Sequence, residues 1–167
     1  HRPSSVAEAV AILVSHGDEA RPLSGGHSLI PMMKLRMAVP ENLIDLQDIS
    51  SMKSIEISGG TVSIGAMVTQ RELIASKALH NICPLIRETS LQIADPQIRN
   101  VGTLGGNVAN GDPGNDMPAV MQALDAAFTL ESSTGSREIK ARDFYEASFF
   151  TAREENEILT AVTFTAP

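Results

Sequence analysis

The sequence has little cysteine, few basic residues and no long apolar run. Its 167 residues include a single cysteine, Cys83, which cannot by itself ligate an iron–sulfur cluster or form a cysteine-rich zinc site. There are 13 basic and 20 acidic residues, giving a net charge of -7, so a basic nucleic-acid-binding surface is not expected. His1, His16 and His80 show no metal-ligand spacing with one another. We therefore expect neither a metal site nor a nucleic-acid interface.

Signals for a membrane or a secretory route are also missing. No apolar run approaches the roughly 18 residues that span a bilayer, and no signal peptide is visible. A lone cysteine gives no reason to expect an oxidising compartment, so we expect a cytoplasmic protein. The chain opens on His1-Arg2-Pro3 without a methionine and stops just after a strand-like run. We expect a piece of a longer protein.

Extended and helical patterns alternate over about the first 50 residues. Ser5 and Glu8 have capping-box spacing, and apolar residues follow at helical intervals up to Gly17. A strand over 20–23, a helix over 29–37 and a strand over 42–46 follow. This order predicts a small β/α lobe over about residues 1–50.

The remaining residues, about 51–167, predict a larger mixed lobe with mostly antiparallel strands. Alternating runs over 54–58 and 61–64 flank Gly59-Gly60, which is typical of a hairpin. Thr69 and Glu72 form a second capping-box pattern. Helices are predicted over 84–93 and 116–126, a hairpin over 127–131 and 137–141, and a last strand over 157–164. The predicted fold class is α+β.

The first candidate site is a glycine segment between a predicted strand and a predicted helix. It reads Pro22-Leu23-Ser24-Gly25-Gly26-His27-Ser28-Leu29. Glycines there permit positive φ and close approach of a ligand, and successive free N–H groups can hold an anion such as a pyrophosphate. A tight turn with a serine cap and no ligand explains the same residues. Both interpretations stay open for this segment alone.

A second glycine segment runs from Gln97 to Asn107. Gly102, Gly105 and Gly106 predict a loop with exposed backbone donors, and Thr103 and Asn107 add side-chain hydrogen bonds. A glycine-rich surface loop without a ligand is the alternative. The spacing matches neither a Rossmann nor a P-loop motif.

The two segments are better explained together than apart. A dinucleotide has a long, doubly charged middle, and one segment can hold each side of it. Asp112 and Asp116 follow the second segment. One interpretation of Asp116 is a plain N-cap of the next helix; the other is a cofactor contact, since an N-cap carboxylate keeps an oxygen free to accept a sugar or ribityl hydroxyl. His27 is open to three interpretations: a covalent flavin attachment site, a polar contact or a plain loop residue.

Both segments resemble a known family. Residues 21–34 resemble the first FAD loop, and residues 97–119 the second FAD loop, of the medium subunits of carbon monoxide dehydrogenase and xanthine dehydrogenase-type molybdenum hydroxylases. The similarity runs over nearly all of the chain. It implies the FAD-binding fold shared with vanillyl-alcohol oxidase. The family usually continues into a C-terminal domain of about a hundred residues, which this sequence does not contain.

The resemblance also implies cofactors, partners and site residues. A large subunit would carry the molybdenum cofactor and a small subunit two 2Fe–2S clusters, from which FAD would pass electrons to NAD, quinone or oxygen. No residue of this chain is expected to be catalytic, since the cofactor supplies the redox chemistry. The implied FAD-binding residues are Pro22, Leu23, Ser24, Gly25, Gly26, His27, Ser28, Leu29, Ile93, Thr103, Leu104, Gly105, Gly106, Asn107, Asp116 and Leu159.

Two other functions fit parts of the sequence. Ser24-Gly25-Gly26-His27 resembles the attachment motif of covalent FAD oxidases of the berberine-bridge type, with His27 as the linked residue. Those enzymes carry a separate substrate domain, for which this chain has no room. A scaffold subunit that has lost FAD is the second alternative, and the intact glycines and Asp116 argue against it.

Overall fold

The computed structural model describes residues 1–167. The first part of the chain forms a two-stranded parallel sheet. Strands β1 and β2 pair from Ala20 with Asn42 to Leu23 with Asp45. Helix α1 precedes β1, and α2 lies in the connection between the strands. The bounds of these elements are α1 Val6–His16, β1 Ala20–Leu23, α2 Leu29–Lys34 and β2 Asn42–Asp45.

Helix α1 begins and ends close to the predicted positions. Ser5 Oγ accepts from the Glu8 N–H at 3.2 Å, but the Glu8 carboxylate accepts from the N–H of Ser4, not of Ser5. The predicted capping box is therefore displaced by one residue on its second bond. Gly17, at φ 54°, ends the helix as expected.

Helix α2 is shorter than the predicted 29–37 because a Schellman motif closes it after Lys34. The Arg36 N–H donates to Met33 O and the Met37 N–H to Met32 O, with Arg36 at φ 57°. Glycine is the usual residue at this left-handed position, and an arginine there carries no stop signal that could be recognised from sequence. The chain leaves the helix with the apolar Leu35, Met37 and Val39 exposed.

The larger sheet has five antiparallel strands in the order β3-β4-β9-β5-β6. Its two hairpins are the predicted ones, and the last strand inserts between them as the centre of the sheet. Strand β9 pairs with β4 on one side and with β5 on the other, where the register shifts between Thr129 and Leu130. The strands are β3 Ile55–Ser58, β4 Thr61–Gly65, β5 Ala127–Ser132, β6 Gly135–Lys140 and β9 Ile158–Thr165.

Short helices fill the connection from β4 to β5. Thr69 and Glu72 form the predicted capping box, since Thr69 Oγ1 accepts from the Glu72 N–H and the Glu72 carboxylate accepts from the Thr69 N–H. The helices are α3 Gln70–Ala75, α4 Lys77–Ile82, α5 Pro84–Gln92, α6 Pro96–Val101, α7 Leu104–Ala109 and α8 Asp116–Ala123. After β6 come the short α9 Ala141–Phe144 and the hairpin of β7 Tyr145–Ala147 and β8 Phe150–Thr151.

A single core of 31 buried residues joins the small sheet, the large sheet and the helices. It runs from Ala9 and Val10 of α1 through Ile44 of β2 to Phe128 and Val162 of the large sheet, all at most 3% exposed. The predicted α+β class is confirmed. The division into lobes at about residue 50 stays a prediction.

Candidate functional site

A cleft of about 420 Å³ lies where the two glycine segments meet. This volume falls within the range typical of small-molecule sites. The structure confirms that both segments line one cleft. The predicted residues along it are Pro22, Leu23, Ser24, Gly25, Gly26, His27, Ser28, Leu29, Ile93, Thr103, Gly105, Gly106, Asn107 and Leu159.

The first glycine segment presents a run of unused backbone donors. None of the N–H groups of residues 24–29 donates to an acceptor within the chain. Gly26 has φ 75°, a backbone conformation that residues other than glycine adopt only with strain. Successive N–H groups in such a turn form a concave anion site. The segment therefore fits a phosphate-containing ligand.

The second glycine segment departs from the prediction, because it is helical instead of an open loop. Leu104 N–H donates to Val68 O and Gly105 N–H to Ala66 O, both at 2.8 Å, and Gly106 N–H donates to Thr103 Oγ1 at 3.0 Å. The expected exposed backbone donors are thus already used within the protein. A Cβ at Gly105 would lie 2.4 Å from the Ala66 Cβ. This glycine serves close packing of α7.

The two segments are in direct contact. A Cβ at Gly25 would lie 2.2 Å from Val101 O, so the absence of a side chain lets the first segment rest on the backbone that joins α6 to α7. Across the same contact, a Cβ at Gly106 would lie 3.3 Å from the Ser24 Cβ. The glycines therefore set the width of the cleft at this point.

Leu104 and Asp116 are the predicted residues that do not line the cleft. Leu104 is fully buried in the core, and Asp116 is exposed in the first turn of α8. The expectation that Asp116 caps this helix is wrong, since the N-cap is Asn115. Asn115 lines the cleft, and its amide donates to Asn107 O at 2.9 Å. A cofactor role for Asp116 stays a prediction.

Apolar side chains also line the cleft. Ile158 and Leu159 at the start of β9 are 2% and 6% exposed. Ile93 is half-buried, and its carbonyl accepts from Arg99 Nη1 at 3.0 Å. The same guanidinium donates to Leu91 O at 3.1 Å, which fixes the chain after α5. Apolar side chains together with unused backbone donors suit a molecule that combines ring systems with an anionic link.

Charged residues from distant parts of the chain also line the cleft, and the sequence analysis missed them. Arg21 and Arg153 both line it, and Arg153 Nη1 donates to the carbonyls of Glu154 and Glu157 at 2.8 Å. Burial, and then the charge of Arg21, lower the pKa of Arg153. No motif links residues this far apart, so only the fold reveals the pair.

Glu157 is the buried acid of the cleft. It is 4% exposed and receives both Nε and Nη2 of Arg137, at 2.5 and 2.8 Å. This hydrogen bonding lowers the pKa of the Glu157 carboxyl. The carboxylate is therefore neutralised within the protein, and the two cleft arginines keep the site attractive to an anion.

Two polar atoms of the cleft residues are buried without a hydrogen-bond partner. They are Gln70 Nε2 and Asn107 Oδ1. Buried polar groups are nearly always paired, and at the wall of a cleft a bound ligand can supply the missing partner. Together with the donors of residues 24–29, they fit a large polar ligand such as FAD.

No helix of the structure is long and apolar enough to cross a membrane.

The sequence matches the family described as the FAD binding domain in molybdopterin dehydrogenase over residues 1–166. It is 58% identical to the carbon monoxide dehydrogenase medium chain of Afipia carboxidovorans, over 100% of this chain and 58% of that relative. Identity to the glyceraldehyde dehydrogenase medium chain of Sulfolobus acidocaldarius is 38%, over 96% and 57%. This chain thus spans little more than half the length of these relatives.

Solved structures agree with these relationships. A cyanide-inactivated Cu,Mo-CO dehydrogenase superposes with a TM-score of 0.98 at 57% identity, covering 100% of this chain and 58% of that one. Quinoline 2-oxidoreductase from Pseudomonas putida gives 0.97 at 34% identity, covering 99% and 58%. The chain belongs to the family of FAD-binding domains of molybdopterin dehydrogenases.

Proposed function

We propose that this chain binds FAD and passes electrons from the 2Fe–2S clusters of a small partner subunit to an external acceptor. A large partner subunit would carry the molybdenum cofactor and oxidise the substrate. The observation that carries the proposal is the row of unused N–H groups at residues 24–29 in a cleft that is also lined by apolar side chains. The carbon monoxide dehydrogenase and glyceraldehyde dehydrogenase medium chains named above support the class of complex.

The residues have separate tasks in this proposal. The donors of the first glycine segment hold the pyrophosphate, and Arg21 and Arg153 add positive charge beside it. Ile93, Ile158 and Leu159 pack against ring systems and keep water away from them. When bound, FAD supplies the chemistry of taking electrons singly and releasing them in pairs. The chain itself binds and orients the cofactor.

FAD binding is tested by titrating the chain into FAD and following the flavin fluorescence and absorption spectrum. We expect saturable quenching with a stoichiometry of one. Acid precipitation then separates a noncovalent site from the covalent alternative, since FAD linked to His27 would remain with the pellet. A chain that causes no quenching and no spectral change at any concentration would contradict the proposal and favour a scaffold role.

A further inference from the structure

Gln70 is a buried polar residue in the wall of the cleft. It is the first residue of α3, is 1% exposed and lines the same cleft as the glycine segments. Its backbone N–H donates to Gly102 O at 2.9 Å, which ties the start of α3 to the second glycine segment. The position of this side chain is therefore set by the backbone of the site.

The side-chain amide of Gln70 is held at one end and unpartnered at the other. Ser90 Oγ, on α5, donates to Gln70 Oε1 at 3.0 Å, and Ser90 is itself fully buried. Gln70 Nε2 is buried and has no acceptor within the chain. A buried N–H donor without a partner is rare and unfavourable in a folded protein. The amide is oriented for an acceptor that the chain does not supply.

We propose that Gln70 Nε2 donates a hydrogen bond to an acceptor atom of the bound FAD and so helps to position the cofactor in the cleft. The proposal rests on the proposed function. FAD offers carbonyl, ring-nitrogen, hydroxyl and phosphate acceptors along its whole length. Ser90 acts through Gln70: its one hydroxyl hydrogen is shared between Ile86 O and Gln70 Oε1, and in this orientation of the amide the nitrogen is left for the ligand. This role for Gln70 is separate from the contacts proposed for the two glycine segments.

The test compares the unmodified chain with Gln70→Met, which keeps the length of the side chain and removes both polar atoms. Loss of one hydrogen bond lowers affinity about fivefold to tenfold, so the Kd for FAD, measured by fluorescence quenching, should rise by that factor. The melting temperature of the FAD-free chain should stay unchanged or rise, because an unpaired buried donor is removed. Ser90 keeps its bond to Ile86 O at 2.8 Å. Titrations are run well below the melting temperature.

A purely structural role for Gln70 predicts the opposite pattern: a lower melting temperature and a Kd within twofold of the unmodified chain. That result would overturn the proposal. Gln92→Met, at an exposed glutamine at the end of α5, is the matched control and should change neither quantity. Gln70→Glu replaces the donor with an acceptor of the same size and should weaken FAD binding at least as much as Gln70→Met. Unchanged affinity in Gln70→Glu would show that an oxygen faces the ligand and would likewise overturn it.

The proposed function and this inference fail in different ways. If the unmodified chain does not quench FAD fluorescence, the assignment of the cleft to FAD is wrong, and the role of Gln70 falls with it. If the unmodified chain binds FAD and Gln70→Met binds it equally well, only the role of Gln70 is wrong.

Discussion

At the scale of single residues, Gly106 is where the two glycine segments are most sensitive to substitution. We expect Gly106→Val to lower FAD affinity at least tenfold. A Cβ would lie 2.9 Å from Thr103 Oγ1 and 3.3 Å from the Ser24 Cβ, so the valine methyl groups displace the N–H groups that follow Ser24. The expected loss of affinity comes from these contacts and not from a positive φ, because Gly106 lies in the helix α7. Flavin retained per chain after gel filtration measures the effect.

Ala119→Val is a suitable control for this substitution. Ala119 is exposed on α8, so valine there introduces a branched residue into a helix without touching the cleft. Both variants should melt within a few degrees of the unmodified chain. Normal flavin content in Gly106→Val would show that the contact between Ser24 and Gly106 does not shape the site.

The sequence indicated the glycine residues of the site but not its buried polar residues. Gly25 and Gly106 stand in short motifs whose spacing carries information by itself. Gln70, Arg153 and Glu157 belong to no motif, and they reach the cleft only because α3 and the chain entering β9 pack beside it. Glutamine and arginine are common on helix surfaces, so their types alone do not distinguish a buried site residue from a solvated one.

At the scale of elements, most strands and helix starts followed from sequence, whereas the ends of α2 and α8 did not. The hairpin around Gly59-Gly60 and the capping box at Thr69 are local signals, and both are present. Helix α8 ends at Ala123 and not at 126, because Asp125 takes φ 48° and closes a Schellman motif in which the Ala126 N–H donates to Met121 O. Arg36 ends α2 in the same way, so residues other than glycine hide both stops.

The ion pair of Arg137 and Glu157 joins β6 to the turn before β9. Since Arg137 lowers the pKa of Glu157, the pair stabilises the fold above about pH 4.3, the usual pKa of a free glutamate, and this stabilisation is lost as pH falls through the lower pKa of the folded state. We expect Glu157→Gln to lower the free energy of unfolding at pH 7 by about 1–2 kcal/mol. The expected loss is modest because Arg137 is partly exposed and solvent weakens the ion pair. Urea unfolding from pH 7 to 3 measures the difference.

The difference in the free energy of unfolding between Glu157→Gln and the unmodified chain should become smaller as the pH is lowered. Asp125→Asn provides the comparison, since Asp125 pairs with Lys140 and Arg142 on the exposed surface and asparagine tolerates its positive φ. Its effect on stability at pH 7 should be smaller. Equal effects of the two substitutions, or a difference that does not vary with pH, would contradict the assignment of Glu157 as a buried, ion-paired acid.

At the scale of the whole molecule, the cleft depends on the spatial order of the strands in the large sheet. The last strand, β9, lies between two hairpins that precede it in sequence, and its first residues, Ile158 and Leu159, line the cleft. The first glycine segment comes from the opening part of the chain. The complete site therefore combines residues from both ends of the sequence, which is why neither glycine segment alone decided between a turn and a binding site.

The chain alone is expected to show little turnover, even when it holds FAD. With one cysteine it cannot hold a 2Fe–2S cluster, so under the proposed function the electrons that reach its flavin come from partner subunits. It also exposes Leu35, Met37 and Val39, each at least 70% accessible, which favours association with itself or with other subunits. We expect substrate-dependent dye reduction to be negligible with the chain alone and to appear when the small iron–sulfur and large molybdenum subunits are added. Robust dye reduction by the chain alone would show that the electron-relay assignment is wrong and would favour an oxidase with its own substrate site. Dye reduction that does not require this chain when the two other subunits are present would show instead that electrons leave the complex without passing through its flavin.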